Sequence, residues 1–345
     1  MAYSVIKKPS DYFNTKLYTG NGSTQSITGV GFQPDWTWIK ERNNAVDHKL
    51  YDAVRGATKV LESSNTGAEG TDVNGLTAFN SDGFSLGSSG SNNGSGDTYA
   101  SWNWLANGAG VANTDGSVNS TVSANTTSGF SIVSWTSLAS GSNYTVGHGL
   151  GSTPAMIIVK GRHESNSWQV YHHKNTSAPE TEYLDLSTAD ATADYPVWND
   201  TAPTSSVFTC GTWSGFDAGG TMIAYCFADV QGYSKFGSYT GNGNADGTFV
   251  YTGFKPAFVI IKGTVVAGDW CLFDNKRSEF NLTNKLLLPN TSDAESTPST
   301  RVIDILSNGF KIRGSSSDVN SSGNSHIYMA FASEPLVGDN PATAR

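Results

Sequence analysis

The sequence predicts an all-β protein of three tandem antiparallel β-sandwich domains, jelly-roll or lectin-like in type. Three observations carry that expectation: the chain repeats itself, its apolar residues fall in short β-branched and aromatic runs, and its connections are crowded with turn-forming residues. Residues 17–40 read LYTGNGSTQSITGVGFQPDWTWIK, residues 236–262 read FGSYTGNGNADGTFVYTGFKPAFVIIK, and a looser copy, FSIVSWTSLASGSNYTVGHGLGSTPAMIIVK, fills residues 130–160. A period near a hundred residues is too long for a solenoid and is the length of a domain with its own core.

Each copy can be followed past its opening. After the shared Lys40, Lys160 and Lys262 come HKLYD, SWQVYH and DWCLFD, which align His48 with Trp168 and Trp270, and Tyr51 with Tyr171 and Phe273. Leu61, Leu184 and Leu287 fall in register, then Phe84, Phe208 and Phe310, and the copies close with YASWNWLA, MIAYCFAD and HIYMAFAS. The expected units are an N-terminal arm at 1–14, repeats at 15–112, 113–233 and 234–335, and a C-terminal tail at 336–345.

The runs WTWIK, MIIVK and FVIIK, each preceded by Pro34, Pro154 or Pro256, read as strands buried on both faces near the middle of a sheet. In the closing strands, alternation puts Trp102, Tyr225 and Met329 on one face with Trp104, Phe227 and Phe331, and these large residues mark the core side. Asn-Gly and Asp-Gly pairs in TGNG, NSDGF, LSNGF and NADGT supply turns where positive φ is easily adopted. DHKLYDAVRGATKVLESS lacks the capping pattern of a helix in its counterpart at 266–290, so it reads as two strands around a loop. A single pseudo-three-fold barrel or propeller is the alternative architecture.

Composition narrows the function. Charged residues make up 15% of the 345-residue chain, with 38 Gly, and the regular return of aromatic residues favours packed cores over disorder. A net charge of -9 without a Lys/Arg cluster disfavours nucleic acid as a partner. The opening MAYSVIKKPSDYF has no apolar signal region and no run is long enough for a membrane span, so synthesis in a cytoplasm and no membrane insertion are expected. Cys210, Cys226 and Cys271 occupy unmatched positions and read as free thiols.

The search for chemistry ends without a catalytic or metal constellation. The histidines His48, His148, His163, His172, His173 and His326 show no metal-ligand spacing, and His172 and His173 would face opposite sides of a strand. Asp52, Asp274, Glu62, Glu69 and Glu295 could supply a glycosidase pair, yet His172 stands opposite Asp52 and Asp274, and Thr192 opposite Glu69 and Glu295. No metal and no cofactor are expected, and no binding residue is assigned. Trp135, Trp198 and Trp213 have no counterparts in the other repeats, which makes them the aromatic candidates for stacking on a sugar ring. The polar tracts 87–97 and 314–325 read as flexible surface loops positioned to meet a partner.

The combination YTGNG, GFQPDWTWIKER, LYDAVRGATKVL, FNSDGFSLG and YASWNWLANG, followed by GFSIVSWTS, VGHGLG, MIIVKGR and YSKFGSYTGNG, resembles a tandem β-domain family of virion-associated, tail-fibre-like proteins from marine tailed bacteriophages. The resemblance runs from about Tyr12 to Pro335. It implies a virion structural protein assembled in the bacterial host cytoplasm, a tail fibre or receptor-binding tail component on the particle. The expected partners are other virion proteins, two further copies of the chain in a homotrimer, and a host surface glycan. A capsid decoration or head-fibre protein is the alternative within that class, and a tail-associated carbohydrate-active enzyme the alternative outside it.

Overall fold

A computed structural model describes residues 4–338 and 341–342. Among these residues the chain is almost entirely β, with six antiparallel sheets, two α-helices of four residues each and two 3-10 helices of three. The three largest sheets share one arrangement: the closing strand of each repeat lies between its opening strand and its Pro-preceded strand. Thus Thr98–Trp104 sits between Phe13–Thr19 and Trp36–Glu41, and Thr221–Phe227 between Phe130–Thr136 and Met156–Gly161. In the third repeat, Ser325–Pro335 sits between Ser234–Thr240 and Phe254–Gly263. The register repeats as well, with Trp102 opposite Thr15 and Trp38, Tyr225 opposite Ile132 and Ile158, and Met329 opposite Phe236 and Ile260.

Both faces of these central strands are buried, as their unbroken apolar runs require. One face of each packs against a smaller sheet of the same repeat. Ile39, Tyr51 and Tyr99 meet Ile27, Phe84 and Leu86; Val159 and Cys226 meet Val146 and Phe208; Val259 and Ala330 meet Val250 and Phe310. The aligned Phe84, Phe208 and Phe310 are therefore all buried, each in a small sheet.

The opposite faces converge on a single cluster drawn from all three repeats. It includes Trp36, Trp38, Trp102 and Trp104 of the first, Ile158, Trp168, Tyr225 and Phe227 of the second, and Phe258, Trp270, Met329 and Phe331 of the third. Trp36 stacks on Tyr225 with ring centroids 4.3 Å apart, and Trp104 meets Phe258 edge-on at 5.6 Å. The face marked as core by alternation is thus a core shared among repeats.

Some elements cross the expected boundaries. The described part of the arm is packed, not free: Ile6 is 2% exposed in the shared core, and strand Phe13–Thr19 begins inside the range assigned to the arm. Strand Val111–Asn113 straddles the expected first boundary and pairs with Ser120–Asn125 of the second repeat. Strand Phe254–Gly263 starts before Pro256, and the register shifts at that proline, which has no N–H for the ladder. Residues 1–3 of the arm, and 339–340 and 343–345 of the tail, lie outside the described residues.

The segment around DHKLYDAVRGATKVLESS forms strands Lys49–Asp52 and Lys59–Glu62. Cys210, Cys226 and Cys271 are free and buried, and burial raises each thiol well above its ordinary range.

Candidate functional site

The polar residues singled out in the sequence assemble where one repeat meets the next, and they do so in a closed ring. The aligned His48, Trp168 and Trp270 each reach into a neighbouring repeat. Trp168 donates its indole N–H to the carbonyl of Glu62 at 2.8 Å, Trp270 to that of Asp185 at 2.9 Å, and His48 Nε2 lies 3.1 Å from that of Leu288. Glu62, Asp185 and Leu288 are themselves aligned, so one contact is made three times: second repeat to first, third to second, first to third. His48 also accepts the Trp38 indole N–H at Nδ1, and burial drives its basicity down.

The shared lysines serve the same junctions. Lys160 Nζ donates to the carbonyl of Thr66 in the first repeat, and Lys262 Nζ to that of Ala189 in the second. All three shared lysines are fully buried, and burial lowers each to about 8. Backbone bonds close the ring again: Glu69 N–H to Arg162 carbonyl, Thr192 to Thr264, and Glu295 to Arg42, all between 2.8 and 2.9 Å.

Four of the carboxylates that could supply a glycosidase pair are spent on these junctions, and the fifth, Glu62, pairs with Lys49 of its own repeat. Asp52 pairs with Arg55 and accepts from the Tyr225 hydroxyl of the second repeat; Asp274 pairs with Arg277 and accepts from the Trp102 indole of the first. Both pairs are fully buried. Glu69 takes a bidentate grip from Arg162 at 2.8 and 2.9 Å, and Glu295 one from Arg42 at 2.9 Å. Burial alone would raise these two glutamates, but the arginines outweigh it and hold both below the usual range.

The junction between the second and third repeats departs from this scheme. Asn175 stands where the other repeats have Arg55 and Arg277, Thr192 where they have Glu69 and Glu295, and Thr264 in the place of Arg42 and Arg162. No ion pair replaces them; Thr192 donates its hydroxyl to Asn175 Oδ1 at 2.7 Å. His172 fills the slot of Asp52 and Asp274, its Nε2 3.2 Å from the Tyr328 carbonyl, and burial lowers its basicity to about 3. A cleft of about 630 Å³ opens here, lined by Lys174, Asn175, Glu182, Thr192, Thr264 and Val265 among others. The corresponding cleft between the third and first repeats, with Lys276, Arg277, Lys285 and Arg42 in its lining, measures about 430 Å³. The sequence carries a signal for this difference in the contrast of IKER and VKGR with IKGT.

Two groups of expected contact residues lie elsewhere than expected. Trp135, Trp198 and Trp213 are 4%, 1% and 6% exposed, within the second repeat's own core, and cannot stack on an external sugar. That repeat's small sheet has two strands where the others have three, and the unmatched tryptophans supply apolar bulk around it. The tracts 87–97 and 314–325 are tied down. Each holds a four-residue helix ending in a fully buried asparagine, Asn93 or Asn320. Asn93 accepts from the Asn21 N–H and donates to the Gly87 carbonyl; Asn320 accepts from the Asn242 N–H and donates to the Gly314 carbonyl. This pins each tract to a TGNG turn, where a Cβ on Gly20 or Gly241 would lie 2.2 or 2.4 Å from a backbone oxygen. Polar composition there reflects internal hydrogen bonding.

Among the described residues, one group of His and carboxylate side chains comes together: His163 Nε2 lies 3.9 Å from Glu164 and 4.0 Å from Asp217, on the surface of the second repeat. No helix of the described residues is long and apolar enough to cross a membrane. No curated protein and no solved structure matches the chain. A family model described as a domain of unknown function, DUF7483, matches residues 8–335, spanning all three repeats and the junction ring, and the chain belongs to that family.

Proposed function

We propose that this chain is a structural protein of a bacteriophage virion, a tail fibre or receptor-binding tail component that presents a rigid β-scaffold to the host surface. The reading rests on the resemblance carried by the repeat motifs, and the observation that supports it best is the junction ring. Three β-sandwich units, each a large sheet on a small one, close around one core and hold their connecting loops in fixed positions. Binding sites carried on loops of a rigid scaffold can vary while the scaffold stays intact, which suits recognition of a changing receptor. Of the carboxylates that could have served glycoside hydrolysis, Asp52, Asp274, Glu69 and Glu295 are each paired with an arginine and Glu62 with Lys49, which favours a structural role for them over the enzymatic alternative.

In this reading the protein is assembled in the bacterial cytoplasm, joins other virion proteins, and acts as a homotrimer in which weak contacts add through avidity. Immunogold labelling of purified particles, with native mass spectrometry of the isolated protein, tests it. Label on the tail and a trimer mass are expected. Label on the head would move the protein to the decoration or head-fibre role, and a monomer absent from particles would overturn the proposal.

A further inference from the structure

The cleft between the second and third repeats is the place where the protein's own pattern is broken. At the other two junctions long side chains occupy part of this space: Arg55, Glu69 and Arg162 at one, Arg277, Glu295 and Arg42 at the other. Substituting Asn175, Thr192 and Thr264 removes two guanidinium groups and a carboxylate, and with them much of the volume and all of the charge at those positions. What remains is a cleft of about 630 Å³ between the second and third repeats.

Two polar atoms of its lining residues are left without partners. Asn175 is 3% exposed; its Oδ1 is occupied by Thr192, but its Nδ2 donates to nothing. Glu182 Oε2 is likewise buried and accepts from nothing. Leaving a buried polar atom unpaired is costly, so a donor and an acceptor left idle beside one cleft mark it as incomplete. A ligand that satisfies both must accept at one point and donate at another, as a molecule with several hydroxyls does. Lys174 at the rim and Glu182 within carry opposite charges, so the lining offers no net charge to select an ion. Val265, 60% exposed, adds an apolar surface of the kind that packs against the carbon face of a sugar ring.

We infer that the cleft between the second and third repeats binds a neutral glycosyl unit, with Asn175 Nδ2 donating to one ring hydroxyl and Glu182 Oε2 accepting from another. The inference deepens the host-attachment reading by giving it a site and a ligand class, and its test does not depend on where the protein sits in a particle. Saturation-transfer NMR on the whole chain, with a panel of neutral methyl hexosides, methyl 6-deoxyhexosides and methyl N-acetylhexosaminides, is the direct measurement. Saturation transfer to at least one member is expected, with affinity about tenfold weaker in Glu182→Gln, the loss appropriate to one hydrogen bond to a charged group. The double variant Thr192→Glu/Thr264→Arg rebuilds the pair found at the other junctions, and should abolish binding while the melting temperature is kept or raised. The variant Lys285→Ala, in the neighbouring cleft, should bind as the parent does. Absence of transfer to every member, binding of methyl glucuronide alone, or binding unchanged by Glu182→Gln and by the double variant would each overturn the inference. Particles that carry no label would remove the virion reading and leave a positive glycoside result standing. A labelled tail with no glycoside binding would do the reverse.

Discussion

The indole N–H of Trp168 donates to the backbone carbonyl of Glu62 at 2.8 Å, across 106 residues of sequence and between two repeats. The same bond recurs from Trp270 to Asp185, and His48 stands in the equivalent place beside Leu288. A ring of this kind makes each repeat a structural partner of both others. It also explains why a buried aromatic position carries a polar handle, since the ring fills the core while its N–H satisfies a carbonyl that the junction would otherwise strand.

Replacing that handle should cost stability in proportion to the bond lost. Trp168→Phe keeps most of the ring and leaves the Glu62 carbonyl unpaired, so a loss of about 1–3 kcal/mol is expected from denaturant melts. Trp104→Ala removes a fully buried ring from the shared core and should cost about 3–5 kcal/mol. Trp213→Ala should also destabilise, because that residue is 6% exposed. An unchanged midpoint for Trp104→Ala would contradict the core assignment.

Much of the fold was legible because repeated positions acted as a check on one another. The alignment of Phe84 with Phe208 and Phe310, and of Trp102 with Tyr225 and Met329, marked buried positions without any knowledge of the sheets. The shared core was not legible in the same way. Alternation shows that Trp102 and Trp104 face apolar surroundings, but it says nothing about whether those surroundings belong to the same repeat. The junction cleft was hidden for a related reason: Asn175, Thr192 and Thr264 are unremarkable in sequence, and become informative only beside the arginines and glutamates they replace. Trp135, Trp198 and Trp213 show that lack of a counterpart does not imply exposure: the smaller sheet of the second repeat needs extra apolar bulk around it.

The ion pairs at the first junction should be worth more than exposed pairs are. Glu69 bridges Arg55 and Arg162 with side-chain exposures of 11%, 0% and 18%, so Glu69→Gln leaves a buried guanidinium without its full complement. A loss of about 3–5 kcal/mol is expected. The corresponding Thr192→Val, at the junction without an ion pair, should cost less than half of that. Equal losses in the two variants would show that the Arg–Glu grip contributes nothing beyond its shape.

Acid should weaken the protein before its carboxylates titrate. His172 is lowered to about 3 by burial, while an unfolded histidine titrates near 6.5. Between those values the unfolded chain holds a proton that the folded chain does not, so stability falls as pH drops through 6.5 toward 3. This residue alone accounts for about 2 kcal/mol between pH 7 and pH 5. His48, also lowered by burial, adds to the slope in the same direction. His172→Gln should flatten the dependence of the melting temperature on pH in that window, and a slope identical to the parent's would remove His172 as its source.

The thiols should be silent until the fold opens. Cys210, Cys226 and Cys271 are each 0% exposed, and burial disfavours the thiolate that reacts. Ellman's reagent should therefore find no fast-reacting cysteine in the native protein and all three after denaturation without reductant. Fewer than three in the denatured protein would mean that a disulfide had formed.

The shared core sets how the chain unfolds. If each repeat were independent, its excised fragment would bury what it buries in the whole protein. Residues 15–112 alone would instead expose Trp36, Trp38, Trp102 and Trp104, all at most 1% exposed in the intact chain. The fragment would also lose the Trp168 indole that donates to its Glu62 carbonyl, the Arg162 guanidinium that grips its Glu69, and the Glu295 carboxylate that holds its Arg42. Burial of such side chains contributes roughly 1.5–3 kcal/mol each, enough in sum to exceed the net stability of a domain of this size. The expected outcome is a single cooperative transition for the whole chain, by calorimetry and by tryptophan fluorescence, and an unfolded or aggregated fragment 15–112. Separate transitions for the repeats, or a fragment with a cooperative melt and a native-like spectrum, would show that the junctions join three finished domains instead of completing them.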